Sequence, residues 1–202
     1  MRTIAISATL ASALALTTVS AQAIELNPFS YVKGAVEAVV EDRSAGDIAK
    51  DAEIKAKIFA AITDELGASM VAFNNDVYEQ DVMLTGVVED PKEKKRAGEV
   101  ARRVEGVKKV YNEVLVIPAV KQQKGTVENF VDDTVIETKI NAVLLDAKGV
   151  NTTNFRWRSV GGHVFLFGRA LSQEELDKAI RVVKGVEKVT QITNRVKVKP
   201  KS

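Results

Sequence analysis

Few residues in this 202-residue chain are of the types that perform covalent chemistry. There is no cysteine, which excludes disulfides, thiolate metal sites, a cysteine nucleophile and an acylated cysteine. The single histidine, His163, follows Gly161-Gly162 and reads as a turn residue. One imidazole cannot build a multi-histidine metal site. Carboxylates pair at Asp132-Asp133 and Glu174-Glu175, where helices are expected to start and the helix dipole favours negative charge. No nucleophile–base constellation is visible, so neither an enzyme nor a cofactor is expected.

What remains is binding chemistry. Arg195, Lys197 and Lys199 alternate, which puts three bases on one face of an extended strand. The stripe suits an anionic surface, or is a solvated edge that discourages strand-to-strand aggregation. Net charge is only +2, but the halves differ. Residues 24–118 hold 13 Lys/Arg and 18 Asp/Glu; residues 119–202 hold 15 and 9. The second half, at +6 against −5, is the one suited to an anionic membrane. There each basic residue near the surface adds about 1 kcal/mol, in a salt-sensitive way. If Phe155, Val164 and Leu166 point into a core, then Arg156, Arg158, Phe165 and Phe167 share the opposite sheet face. Two phenylalanines beside two arginines are unusual on a free surface. Either this face docks on the first half or a partner subunit, or it meets ligand or lipid directly. Trp157 falls with the inward set. A basic aromatic sheet also suits single-stranded RNA, but the N-terminus argues for export and against a nucleic-acid partner.

That N-terminus has Arg2, an apolar run from Ile4 to Leu16, and the small-x-small triplet Ala21-Gln22-Ala23. It reads as a cleaved export signal over residues 1–23, with Ala21 as the alternative site. The run is short for a retained anchor, which needs about 20 apolar residues. Residues 24–46 form an extension, in which Asn27-Pro28 starts a short helix carrying Val32, Val36, Val39 and Val40.

The elements that position these residues occur twice. At a shift of 82, residues 51–86 align with 133–168 without a gap, and 11 of the 36 pairs are identical, among them Asp51/Asp133, Lys57/Lys139, Phe73/Phe155 and Gly86/Gly168. Val104 to Val107 match Val183 to Val186 at a shift of 79, and Asn112 matches Asn194 at 82 again. Each copy opens with an amphipathic helix: Ile54, Ile58, Ile62 and Leu66, or Ile136, Ile140, Val143 and Leu144. Two strands follow, with Val71, Phe73, Val82 and Leu84, or Thr153, Phe155, Val164 and Leu166, turned inward. Gly161-Gly162 makes a hairpin turn. Asp90-Pro91 with Glu93, and Ser172 with Glu175, cap a second helix. Gly106 and Gly185 are expected past its end as C′ residues. A last strand spans Val107 to Ile117, or Val186 to Val198. The expected fold class is α+β: two helix–strand–strand–helix–strand (αββαβ) domains at 47–117 and 129–198, each a three-stranded sheet with two helices on one face. A linker at 118–128 and a tail at 199–202 complete the chain.

Asp-x-x-Ile-x-x-Lys-Ile opens each copy, Val-x-Leu-x-Gly follows in the second strand, and Val-x-Gly-Val precedes the last. In these motifs the chain resembles the BON domain, named for bacterial osmotically induced and nodulation proteins. The resemblance covers residues 47–198. It implies a periplasmic, non-catalytic role in envelope integrity or osmotic stress, through weak contact with anionic phospholipid. A structural or chaperone-like role, binding an envelope protein through the sheet face, is the other function class it allows. It implies a lipid footprint at the first helix of copy two, Phe130, Val131, Val135 and Lys139, joined by Arg195, Lys197 and Lys199. The position at which a tryptophan would strengthen that contact holds Val135.

Overall fold

A computed structural model describes residues 41–67, 71–118 and 126–199. The segment expected to be an export signal, residues 1–23, and residues 24–40 of the expected extension lie outside the described residues.

Domain one comprises α1 (Ala45–Leu66), β1 (Val71–Tyr78), β2 (Asp81–Val88), α2 (Pro91–Arg103), β3 (Lys109–Asn112) and β4 (Leu115–Val116). Domain two comprises α3 (Thr126–Asp146), β5 (Phe155–Val160), β6 (His163–Ala170), α4 (Gln173–Lys184) and β7 (Gln191–Val198). Polar side chains start the helices as the sequence requires. Ser44 Oγ accepts the Asp47 N–H of α1 at 3.1 Å. Asp90 and Glu93 form the capping box of α2 behind Pro91, and Ser172 Oγ accepts the Glu175 N–H at 3.2 Å. In each domain the middle strand pairs antiparallel with the first and parallel with the last. Two helices cover one face. The α+β class and the repeated αββαβ unit are both present. The cores match copy for copy: Ile54, Ile58, Ile62, Val82, Leu84 and Ala97 against Ile136, Ile140, Leu144, Val164, Leu166 and Ala179.

Four local expectations are corrected. The last strand of domain one is not continuous from Val107 to Ile117. It breaks at Glu113-Val114, where Asn112 Oδ1 takes the Val114 N–H at 3.4 Å. Thr153 is not in a strand. It lies in a 3-10 turn, Thr152–Asn154, pinned by the Thr152 hydroxyl donating to the Leu144 carbonyl at 2.9 Å. Gly185 is no left-handed C′ residue. Its φ is −79°, and the chain turns on through Val186 to Val189 with further i−3 bonds. Glu187, Lys188 and Val189 are the three residues by which copy two is longer before its last strand, with Lys188 at φ +67°. The Asp132-Asp133 pair is not at a helix start, because α3 already begins at Thr126.

Gly86 and Gly168 occupy equivalent places two residues before the ends of β2 and β6, at φ +141° and +111°. A Cβ at Gly168 would lie 2.1 Å from the Asn154 carbonyl oxygen, so only glycine fits.

Candidate functional site

The hairpin turns show how each domain is set. Both turns place two residues at positive φ: Glu79 and Gln80 in domain one, Gly161 and Gly162 in domain two. A side-chain carboxylate from the first helix clamps each. Asp51 accepts the N–H groups of Glu79 and Gln80 at 2.7 and 2.8 Å. Asp133 accepts those of Gly161 and Gly162 at 2.6 and 3.0 Å, and the Ser159 hydroxyl at 2.6 Å. Both carboxylates are buried. Sequence reasoning found the Asp51/Asp133 identity but assigned Asp133 to the helix dipole. Its true partners lie 26 to 29 residues away, beyond any local pattern.

The second face of each sheet is not free. Phe165 and Phe167 are 1% and 2% exposed, and they pack with Val160, Tyr78, Met83 and Val87 in a core cluster that joins the domains. Tyr111, Leu115 and Ile117 flank it, and Tyr111 meets Phe167 edge-on with ring centres 5.9 Å apart. The molecule is therefore a face-to-face sandwich of two sheets with helices outside.

Ion pairs of one polarity ring this apolar centre. Arg158 donates to Asp76 at 2.8 Å, Arg195 to Glu113 at 2.6 Å, Lys197 meets Asp81 at 2.5 Å, and Arg169 and Lys199 meet Glu79 at 3.0 and 3.2 Å. Arg156 pairs with Glu41. Among the described residues five carboxylates of the first half meet six bases of the second, as many as the net charges of the halves, −5 and +6. The charge polarity that suits a membrane is engaged between the domains, and the Arg195–Lys197–Lys199 stripe is not a free basic edge. Asp76 and Arg158 are equivalent positions of the repeat, as are Glu113 and Arg195. Each pair therefore sits on a pseudo-twofold axis. Like charges at these positions would repel. Opposite ones let the halves pair with each other but not each with its own kind. Burial pushes the Asp76 carboxyl up, but Arg158, Lys55 and Arg156 together hold it below the usual range. Burial also raises Glu137, which Arg158 only partly offsets.

A short segment ahead of α1 enters the same interface. Glu41 and Arg43 side chains are 2% and 4% exposed. Arg43 pairs with Glu41 and Asp51 and lies 4.0 Å over the Tyr78 ring. Asp42 Oδ2 accepts from Asn151 and Asn154, both at 3.1 Å, and its carbonyl accepts from Arg169 at 2.7 Å. Tyr78 donates its hydroxyl to Asn154 at 3.2 Å; burial pushes that hydroxyl up to about 12, against the nearby cations. No sequence signal marked these three residues, because they lie outside the repeat.

Trp157 is in the core of domain two, its Nε1 donating to the Glu137 carbonyl at 3.1 Å. His163 stacks on Phe165 and bonds Thr193, and burial lowers its basicity. Glu175 accepts the Asn151 and Leu171 N–H groups and holds a loop. Among the described residues no cluster of three or more metal-ligating side chains occurs, and no helix is long and apolar enough to cross a membrane.

The open surface of domain two lies on its helices. An apolar groove runs between α3 and α4, lined by Ala142, Val143, Val182 and Val186 and rimmed by Lys139, Arg181, Asp146 and Glu187. Val135 and Leu145 are 45% and 67% exposed on the same helix. Lys139 pairs with Glu187 at 2.8 Å on the surface. Of the expected footprint, the structure keeps Val135 and Lys139 together here and sends Arg195, Lys197 and Lys199 to domain one. The side chains of Phe130 and Val131 lie outside the described residues.

The sequence profile of the BON domain matches residues 50–118 and 132–200. Osmotically-inducible protein Y of Escherichia coli (strain K12) is 30% identical over 154 residues, covering 76% of this chain and 75% of that protein. The 21 kDa hemolysin of Actinobacillus pleuropneumoniae is 31% identical over 161 residues, covering 78% and 73%. Outer membrane lipoprotein DolP of Haemophilus influenzae is 26% identical over 185 residues, covering 84% and 93%. With one profile match on each αββαβ unit, this chain belongs to the BON domain family, of which it carries two copies.

Proposed function

We propose that this is an exported, non-enzymatic binding protein of the periplasm that serves envelope integrity under osmotic stress, through weak peripheral contact with anionic phospholipid. The observation that carries the reading is the outer face of domain two. It combines an open apolar groove, with Lys139 and Arg181 on its rim, and exposed Val135 and Leu145 on the same helix. The names of the relatives, one osmotically inducible and one an outer membrane lipoprotein, support the envelope setting. The export signal over residues 1–23 supports the compartment.

The geometry changes how the contact works. Because the excess positive charge faces domain one, apolar insertion supplies most of the affinity and two cations supply the anionic preference. The Lys139–Glu187 pair is exposed and screened by solvent, so a lipid phosphate can replace Glu187. Full-length mature protein is sedimented with vesicles of graded phosphatidylglycerol content. Val135→Asp and Leu145→Asp are expected to abolish binding, Lys139→Glu/Arg181→Glu to remove the anionic preference, and Lys197→Gln to change neither. Binding that survives both aspartates overturns the reading.

A further inference from the structure

We propose that domain one is an internal mask, and that Glu41, Asp42 and Arg43 latch its acidic sheet face over a basic, aromatic sheet face of domain two that binds anionic surfaces when released. Removed from domain one, the face of domain two presents Arg156, Arg158 and Arg169 beside Phe165 and Phe167, edged by Arg195, Lys197 and Lys199. Such a face suits a densely anionic surface: the bases meet phosphates and the rings enter the interface. Domain one meets it with the same chemistry, carboxylates at Asp76, Glu79, Asp81 and Glu113 around Met83 and Val87. The occupant is thus identified by charge complementarity with the mask.

The latch and the rim hold the mask in different ways. The rim cations Arg195, Lys197 and Lys199 are 42%, 50% and 58% exposed, where salt screens their pairs. Glu41, Arg43 and Asp51 are nearly fully buried, where salt screens far less. Buried charge pairs are weak contributors to stability compared with apolar packing, and their retention suits a contact that sets one geometry and can be undone as a unit. This inference is independent of the outer-face contact proposed above.

The test uses the full mature chain as Glu41→Gln/Arg43→Met, which removes the latch without leaving either charge of that pair alone. Small-angle scattering is expected to show a shift to a larger radius of gyration as salt rises, where wild type stays compact. Sedimentation with phosphatidylglycerol vesicles is expected to show tighter binding that Val135→Asp does not reduce and Arg156→Glu/Arg158→Glu abolishes. The chain has no cysteine, so Glu113→Cys/Arg195→Cys, joined by a bifunctional thiol reagent with a cleavable spacer as long as the Glu–Arg pair it replaces, can lock the sandwich. Joined, it is expected to cancel both gains, and cleavage of the spacer to restore them. Asp42→Ala, which removes the latch's anchors on Asn151 and Asn154 and leaves Glu41 and Arg43 in place, gives a second opened chain should the first not fold. A latch variant that stays compact at every salt concentration overturns the latch. An opened chain that binds vesicles no better than wild type overturns the mask.

Discussion

At the scale of single residues, the carboxylates that clamp the hairpins have the clearest consequences. Asp51 and Asp133 each accept two backbone N–H groups that no strand partner can take. Hydrogen bonds to a charged group are worth about 1.5–3 kcal/mol each. Asp133→Ala is therefore expected to lower unfolding free energy by about 3 kcal/mol in urea titration. Asp51→Ala is expected to cost more, because Glu79 and Gln80 hold positive φ without the freedom of glycine. Gly168→Val forces a Cβ into the Asn154 carbonyl oxygen and is expected to unfold domain two. Asp76 adds a pH signature. Its folded pKa is depressed, so its contribution is present above the unfolded value of 3.8 and is lost as pH falls through the lower folded value. Asp76→Asn is expected to flatten that acid limb in melts taken across acid pH, and to cost about 3 kcal/mol at neutral pH, because Arg158 keeps only its longer pair with Glu137.

At the scale of elements, β7 shows how one alternation serves two masters. Its basic positions alternate with Val196, which seals the core of domain two, so the bases must face the other sheet. The alternation was readable; the partner was not. These pairs are partly exposed and each is worth about 1 kcal/mol or less. Raising ionic strength is expected to lower the melting temperature of wild type slightly, by an increment that Arg195→Gln/Lys197→Gln/Lys199→Gln removes. Calorimetry across a salt series checks this; an unchanged salt slope in the triple variant would contradict the pairing.

At the scale of the whole molecule, the pseudo-twofold arrangement makes charge position more telling than charge total. Asp76 and Arg158 are one position of the repeat with its sign reversed, and so are Glu113 and Arg195. Exchanging both members of the first pair, Asp76→Arg/Arg158→Asp, is expected to recover most of the stability that either single change loses. A double-mutant cycle measures the coupling, and additivity of the two losses would show that the pair does not interact.

The sequence by itself determined the local and the repeated. Helical spacing at Ile54, Ile58 and Ile62 and capping at Asp90 and Ser172 depend on neighbours a few residues away. Duplication then confirmed each reading with a second copy. The αββαβ unit followed from these. What only the tertiary structure decided was where the second sheet face goes and whom the charges meet. Phe165 and Phe167 could be placed opposite the core by alternation, but alternation does not name the body across from them. The excess charge of each half was countable, yet a count has no direction. The structure turned it inward, because burying two aromatic sheet faces against each other brings the oppositely charged rims into contact.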